Sequence, residues 1–290
     1  MNRPFSGLLA TVVLAFSVDA SAFAACGEHF PSGNAPVVSD THLRVQVLCY
    51  ERFAVLHSGL TKGPLLVAEH LVAHQVRSAK QQIRVNLFHP EPRLNPRERA
   101  ELSDFASSGY DRGHMAPSGD MPDANSQAES FTLANMVPQD AQNNRYLWEA
   151  IESATRAYAQ LAGEAHVMTG PLFLGKRIET IGSGVLVPTH LFKLIYDPHR
   201  RAATVFLTEN NASKAYALIT PKKLQQLSRV DLPLTVLSAS GGLSVPPPRA
   251  RLDRASGASR GNSVYREDAS VFDRAITLAA SLRTSARRYG

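Results

Sequence analysis

Near the middle of the 290-residue chain stands Tyr110-Asp111-Arg112-Gly113-His114-Met115-Ala116-Pro117, which sets a permanent cation and an imidazole on either side of a glycine. A second polar group follows at Asn135, Asn143, Asn144 and Glu152. Cleaving a phosphodiester requires an activated water, a cation on the charge that develops at phosphorus, and stabilisation of the leaving oxygen. Neutral imidazole, with an unperturbed pKa of ~6.5, is a competent base for the water, which makes His114 the candidate. On that value, activity would fall as pH drops through the ordinary histidine range. Arg112 offers a planar guanidinium fork to phosphate oxygens. On a strand, Arg112 and His114 project from the same face. Gly113 lets the backbone approach closely, and Asp111 serves as an anchor for the loop rather than as a proton carrier.

The second group suits a hard cation. Mg²⁺ takes oxygen ligands and keeps several waters, so one amide oxygen with outer-sphere support is enough, and Asn144 can supply it. Glu152 lies ~12 Å further along a helix axis and would act through ordered waters. A cation held there would stabilise the leaving oxygen. Each residue also has a plainer role: Asn135 and Asn143 in a loop and a cap, Glu152 on a solvated helix face, Trp148 and Tyr158 in the core. His70 and His74 have a ligand-like spacing, but Leu71 stands where a zinc-protease helix carries Glu, and no third ligand is evident.

The elements that must position these groups follow from pattern. Residues 46–50 and 53–57 read as strands. Residues 65–72 read as a strand or a buried segment, since periodicity leaves both open. Residues 83–88 alternate as a half-buried strand does, and 97–105 form a short helix closed by Ser107-Ser108-Gly109. Asn143 or Asn144 caps a helix running through Trp148, Ile151, Ala154 and Tyr158 to about residue 162, where Gly163 ends it. Residues 167–174, 191–196 and 203–207 read as strands, the last two joined by a hairpin at Asp197-Pro198-His199-Arg200. Another helix begins at 221.

Hydrophobic residues at 44% and charged ones at 19% describe a globular chain able to bury a sizeable core. The net charge of +6 favours anionic partners. From about Ser238, however, Gly, Pro, Ser and Arg dominate, and nine arginines against four acids place +5 of that charge in the tail. The body that holds the motifs is nearly neutral. At the other end, Arg3, an apolar run from Leu8 to Val18, and Ala22-Phe23-Ala24 read as a signal peptide over 1–24, which predicts a periplasmic or secreted protein. No hydrophobic run is long enough to span a membrane. The expected organisation is a catalytic domain over 25–240 and a basic tail over 241–290.

Cys26 and Cys49, the only cysteines, predict one disulfide in an oxidising compartment. A rival reading is that Phe23-Ala24-Ala25-Cys26 loosely resembles a lipoprotein cleavage site. Acylation of Cys26 would then leave Cys49 unpaired.

The Asp111-Arg112-Gly113-His114 stretch resembles the signature of the sugar-nonspecific DNA/RNA endonucleases, members of the ββα-metal nuclease superfamily. The likeness continues through Phe131-Thr132-Leu133-Ala134-Asn135-Met136-Val137-Pro138-Gln139 and through Asn143-Asn144-Arg145-Tyr146-Leu147-Trp148-Glu149-Ala150-Ile151-Glu152, and it covers about residues 45–235. The paired match is specific where the four-residue signature alone is only suggestive. The resemblance implies an α+β fold, a central antiparallel sheet flanked by helices, with a ββα-metal site at its edge. It implies His114 as general base and Asn144 as the sole direct protein ligand to Mg²⁺, and leaves open whether Mn²⁺ can replace it. It also implies Arg112 near the phosphate, Asn135 positioning substrate or site, and Glu152 holding metal-bound water. The upstream phosphate-binding arginine is Arg84, with Arg93 as the alternative. The implied activity is Mg²⁺-dependent cleavage of DNA and RNA with little sequence preference. The competing reading is a non-catalytic nucleic-acid binder on the same fold, which has no need of the His114/Asn144 pair. Neither an oligomeric state nor a protein inhibitor follows from the residues.

Overall fold

Alternation of apolar residues on successive strands builds a sheet that is buried on both faces. The computed structural model describes residues 26–249 and the backbone of Tyr265–Arg266. The expected signal peptide and most of the basic tail lie outside the described residues. In chain order the sheet strands and their neighbours are β1 (Val45–Cys49), β2 (Phe53–Ser58), β3 (Gly63–Val72), helix α1 (Ala73–Ala79) and the single turn α2 (Leu102–Phe105). Then come β4 (Asp111–His114), α3 (Ala124–Ser130), β5 (Met136–Gln139), a π-helical stretch Asn143–Trp148 and α4 (Glu149–Ala162). The remainder is β6 (Glu164–Leu172), β7 (Thr180–Ile181), β8 (Val185–Leu186), β9 (His190–Asp197), β10 (Ala202–Glu209), β11 (Ala215–Ile219), α5 (Pro221–Leu227), α6 (Leu234–Leu237) and β12 (Tyr265–Arg266).

The main sheet runs β1-β2-β3-β6-β9-β10-β11-β12, and every neighbouring pair is antiparallel except β11 with β12. Phe53, Val55, Val67, Val167, Ile195 and Phe206 face one side, where Trp148 and Ile151 pack on them. Ala54, Leu56, Leu66, Met168, Leu194 and Val205 face the other, against Phe30 of the N-terminal arm and Leu224 of α5. This is the period-2 logic of strands with a core on each side. The β4–β5 pair stands apart from the sheet and leads into the π stretch and α4, which makes a ββα unit.

Several expectations need correction. Residues 83–88 are not a strand: Ile83, Val85 and Leu87 are exposed, and the segment has no ladder partner, Leu87 N–H bonding instead to the Val85 carbonyl at 3.1 Å. Alternation alone did not supply a neighbour to pair with. The helix expected over 97–105 is reduced to α2, because Pro96 and the turns after it leave only one helical turn. Neither Asn143 nor Asn144 caps the long helix. Asp140 does so instead, its Oδ1 accepting from the amides of Gln142 and Asn143 at 2.9 Å each. Gly163 ends the helix at φ 95°, as expected.

Cys26 and Cys49 form a disulfide with Cα atoms 5.5 Å apart, which ties the arm to β1 and removes the acylation reading of Cys26. Packing also continues past residue 240: Leu243 is buried, Val245 packs beside it, and Ser240 N–H donates to the Arg201 carbonyl at 2.9 Å. Among the described residues no helix is long and apolar enough to cross a membrane.

Leu243→Ala is expected to destabilise the fold by about 2–5 kcal/mol, read from urea or thermal unfolding. Unchanged stability would show that residues beyond 240 are not part of the core.

Candidate active site

Strand β4 brings the signature together with β5 by antiparallel pairing of Arg112 with Pro138 and His114 with Met136. Gly113 has extended backbone here and is needed for space, since a Cβ at that position would stand 2.6 Å from the Gln139 Cβ. Gln139 in turn donates to Asn143 Oδ1 at 2.7 Å, and Asn143 Nδ2 donates to the Glu209 carbonyl at 2.8 Å. The glycine thus admits a buried amide chain that seats the π stretch against the end of β10.

His114 lies in an aromatic niche. Its ring meets the edge of Phe131 at 5.0 Å between centroids and Phe88 at 5.8 Å, and its Nε2 is buried without a hydrogen-bond partner. Burial, and then the nearby charge of Arg84, push its pKa down to about 3. The free ring is therefore neutral throughout the physiological range, unlike the unperturbed histidine assumed from the sequence. Arg112 sets its guanidinium 4.2 Å from the Phe88 ring centre, and Arg84 sits 5.4 Å from that of Phe131. Both are exposed at their tips, where an anion can reach them. Arg93 is committed elsewhere: it pairs with Glu91 at 2.7 Å and lies over Tyr50. Of the two upstream candidates, only Arg84 borders His114.

Asn135 is fully buried and spends its amide on backbone. Its Oδ1 accepts from Ala116 N–H at 2.9 Å, and its Nδ2 donates to the carbonyls of Ala116 at 2.8 Å and Ser130 at 2.9 Å. Of the two roles open to it, it takes that of holding the loop after His114, with no polar atom left for substrate.

Asn144 Nδ2 donates to Asp111 Oδ2 at 3.0 Å, while Arg145 grips both oxygens of the same carboxylate at 2.9 and 2.7 Å. Although burial alone would raise the Asp111 pKa, these donors hold it below the usual aspartate range. A carboxylate accepts only from the NH₂ side of an amide, so Asp111 fixes Asn144 with Oδ1 turned the other way. Glu152 is half-buried two turns on, and burial pushes its carboxyl up to about 7 against the opposing pull of Lys193 and Arg156. It is not the solvated helix residue that the plain reading supposed. A hard cation fits this donor set: one oriented amide oxygen, and one carboxyl whose ionised form gains from a nearby positive charge. Among the described residues there is no group of three or more His, Cys, Asp or Glu that could hold a metal. His70 and His74 do not share a helix face, because β3 ends between them, and His70 bonds Glu164 at 2.6 Å.

A family model for DNA/RNA non-specific endonucleases matches residues 31–250. The chain belongs to this endonuclease family. Among its relatives, the mitochondrial nuclease EXOG of Homo sapiens is 34% identical over 51% of this chain and 43% of its own. The mitochondrial nuclease of Saccharomyces cerevisiae is 29% identical over 81% of this chain and 74% of its own. The chain thus spans less than half of the human relative and about three quarters of the yeast one. In fold it is similar to the EndoG structure solved as an EndoG/EndoGI complex, with a TM-score of 0.61 and 24% identity over 74% of this chain and 92% of that one. The α+β, ββα-metal architecture expected of this family is present.

The periplasmic or secreted destination is corrected by the same comparisons, since these relatives are named mitochondrial nucleases. A basic residue followed by an acid-poor apolar stretch does not by itself separate export leaders from organelle-targeting ones.

Phe88, Gln139 and the Asp111–Asn144 contact were not foreseen as parts of the site. The first two lack intrinsic chemistry, and the third joins residues 33 positions apart.

Gly113→Ala is expected to lower cleavage at least tenfold by forcing the β4–β5 register apart, measured as initial rate on duplex DNA; wild-type rates would show that Gln139 simply yields. In metal-free protein, ¹³C NMR is expected to find the Glu152 carboxyl titrating near pH 7. A midpoint near ~4.3 would show that its partial burial does not perturb it.

Proposed function

We propose that this endonuclease-family chain hydrolyses phosphodiester bonds of both DNA and RNA with little sequence preference, and that it uses Mg²⁺. The observation that carries the reading is the neutral His114 ring, walled by Phe88 and Phe131 and flanked by the two exposed guanidinium groups of Arg84 and Arg112. In this mechanism His114 accepts the proton of the water that attacks phosphorus, through a ring nitrogen already unprotonated at neutral pH. Arg112 and Arg84 take the charge that grows on the phosphate oxygens, and stacking on the aromatic rings limits the freedom of both guanidinium groups. Asn144 Oδ1 would hold the cation, with Glu152 orienting water around it. When bound, the cation supplies charge stabilisation for the leaving oxygen.

Contacts confined to phosphate carry no base information, which explains a broad substrate range. Substrate choice between DNA and RNA is then governed by how each backbone fits between the arginines rather than by base edges.

The test is digestion of plasmid DNA and ribosomal RNA by the purified chain, with Mg²⁺ or EDTA, for wild type, His114→Ala and Asn144→Ala. The expected result is metal-dependent cleavage of both polymers, lost by at least 100-fold in each variant. Binding without cleavage in any divalent metal would overturn the reading in favour of a non-catalytic binder.

A further inference from the structure

On the sheet face that supports α4, a charged side chain of β9 breaks the apolar pattern. Leu191 and Ile195 of β9 both join the core there, yet Lys193 between them is 1% exposed. Its Nζ donates to Thr169 Oγ1 at 2.7 Å and to the Met115 carbonyl at 3.4 Å, and stands 5.4 Å from the Trp148 ring centre. Trp148 Nε1 donates to the His114 carbonyl at 3.3 Å. Two buried donors, one from the sheet and one from the helix, therefore take the carbonyls of consecutive residues at the end of β4.

The same interior holds Glu69 of β3, which is fully buried with neither carboxylate oxygen hydrogen-bonded. It feels the positive charges of Lys193 and Arg156 and the negative ones of Asp120 and Glu152. Arg156 is matched by Asp120 at 2.8 Å. Burial raises the pKa of both Glu69 and Glu152, and the charge of Lys193 pulls each back down.

A buried ammonium is costly to desolvate, and a methionine of similar length would fill the space without that cost. Stability alone gives no reason for a lysine at this position. We propose that Lys193 is a positioning residue for phosphodiester cleavage: it holds the Met115 carbonyl, next to His114, from beneath, with the buried Glu69 carboxyl within its electrostatic reach. This rests on the reading of His114 as the base. Displacing the base by even about 1 Å can cost 10²-fold in rate.

The test compares wild type, Lys193→Met, Glu69→Gln and the double variant in the full chain. It measures kcat and KM on a defined duplex, and it records the His114 ring and Met115 amide resonances by NMR without substrate. Lys193→Met is expected to lower kcat about 10- to 100-fold with KM within about twofold, and to shift both resonances. Adding Glu69→Gln to that variant is expected to cost less than Glu69→Gln costs alone, since coupled partners are non-additive. Should Lys193→Met fail to fold, Thr169→Val keeps the lysine while removing its 2.7 Å anchor, and a smaller kcat loss with the same resonance shifts is expected. Unchanged resonances and kcat in a folded variant would overturn the proposal. If wild type does not cleave, the functional reading fails, and the resonances alone still decide whether Lys193 holds this backbone.

Discussion

The site depends on one polar contact between elements that are far apart in the chain. Asp111, the first residue of β4, accepts from the amide of Asn144 and from both arms of the Arg145 guanidinium. This fastens the strand pair that carries His114 to the helix that carries the Asn144 amide oxygen. The contact is possible because Asp140 caps the helix start and Asn143 bonds to the end of β10, so the π stretch is held from both sides. π-Helical turns are uncommon and concentrate at functional sites, where they re-aim side chains. The large sheet beneath serves as a rigid base, with a core on either face.

Electrostatics then separate the two titratable groups. Burial lowers His114 to about 3 and raises Glu152 to about 7, so at neutral pH His114 is uncharged while Glu152 sits near its titration midpoint. In the proposed mechanism the neutral form of His114 is the competent one, and an aromatic niche supplies it without a hydrogen-bond partner at Nε2. For Glu152 the ionised form is the useful one, and it is favoured by a cation or by the neighbouring Lys193 and Arg156. Pairs of groups whose environments push their pKa values apart are how one site divides proton acceptance from charge stabilisation.

Much of this was legible in residue order. The signature strand, the helix through Trp148 to Gly163 and the strands around Val167, Leu194 and Val205 follow from period and from glycine placement. Leu65 and its neighbours left strand and buried segment open, and the segment is β3, completely buried over most of its length. Residues 83–88 misled because alternation reports one wet and one dry face, and here a segment without a sheet neighbour leaves Ile83, Val85 and Leu87 in water. The helix cap was misplaced by a few residues because aspartate and asparagine have similar capping ability, and only the fold selects Asp140. Lys193 and Glu69 gave no signal in sequence, since a single charge within a strand normally points to solvent. Their roles appear only when β3, β9 and α4 are stacked.

The proposed mechanism needs a His114 ring that is neutral before substrate arrives. The most direct test is a ¹⁵N NMR titration of the His114 imidazole in the metal-free protein from pH 8 to pH 4.5. A ring that stays neutral over that whole span is the predicted result, in keeping with a pKa of about 3. Protonation with a midpoint near ~6.5 would contradict the dry aromatic niche and the mechanism built on it.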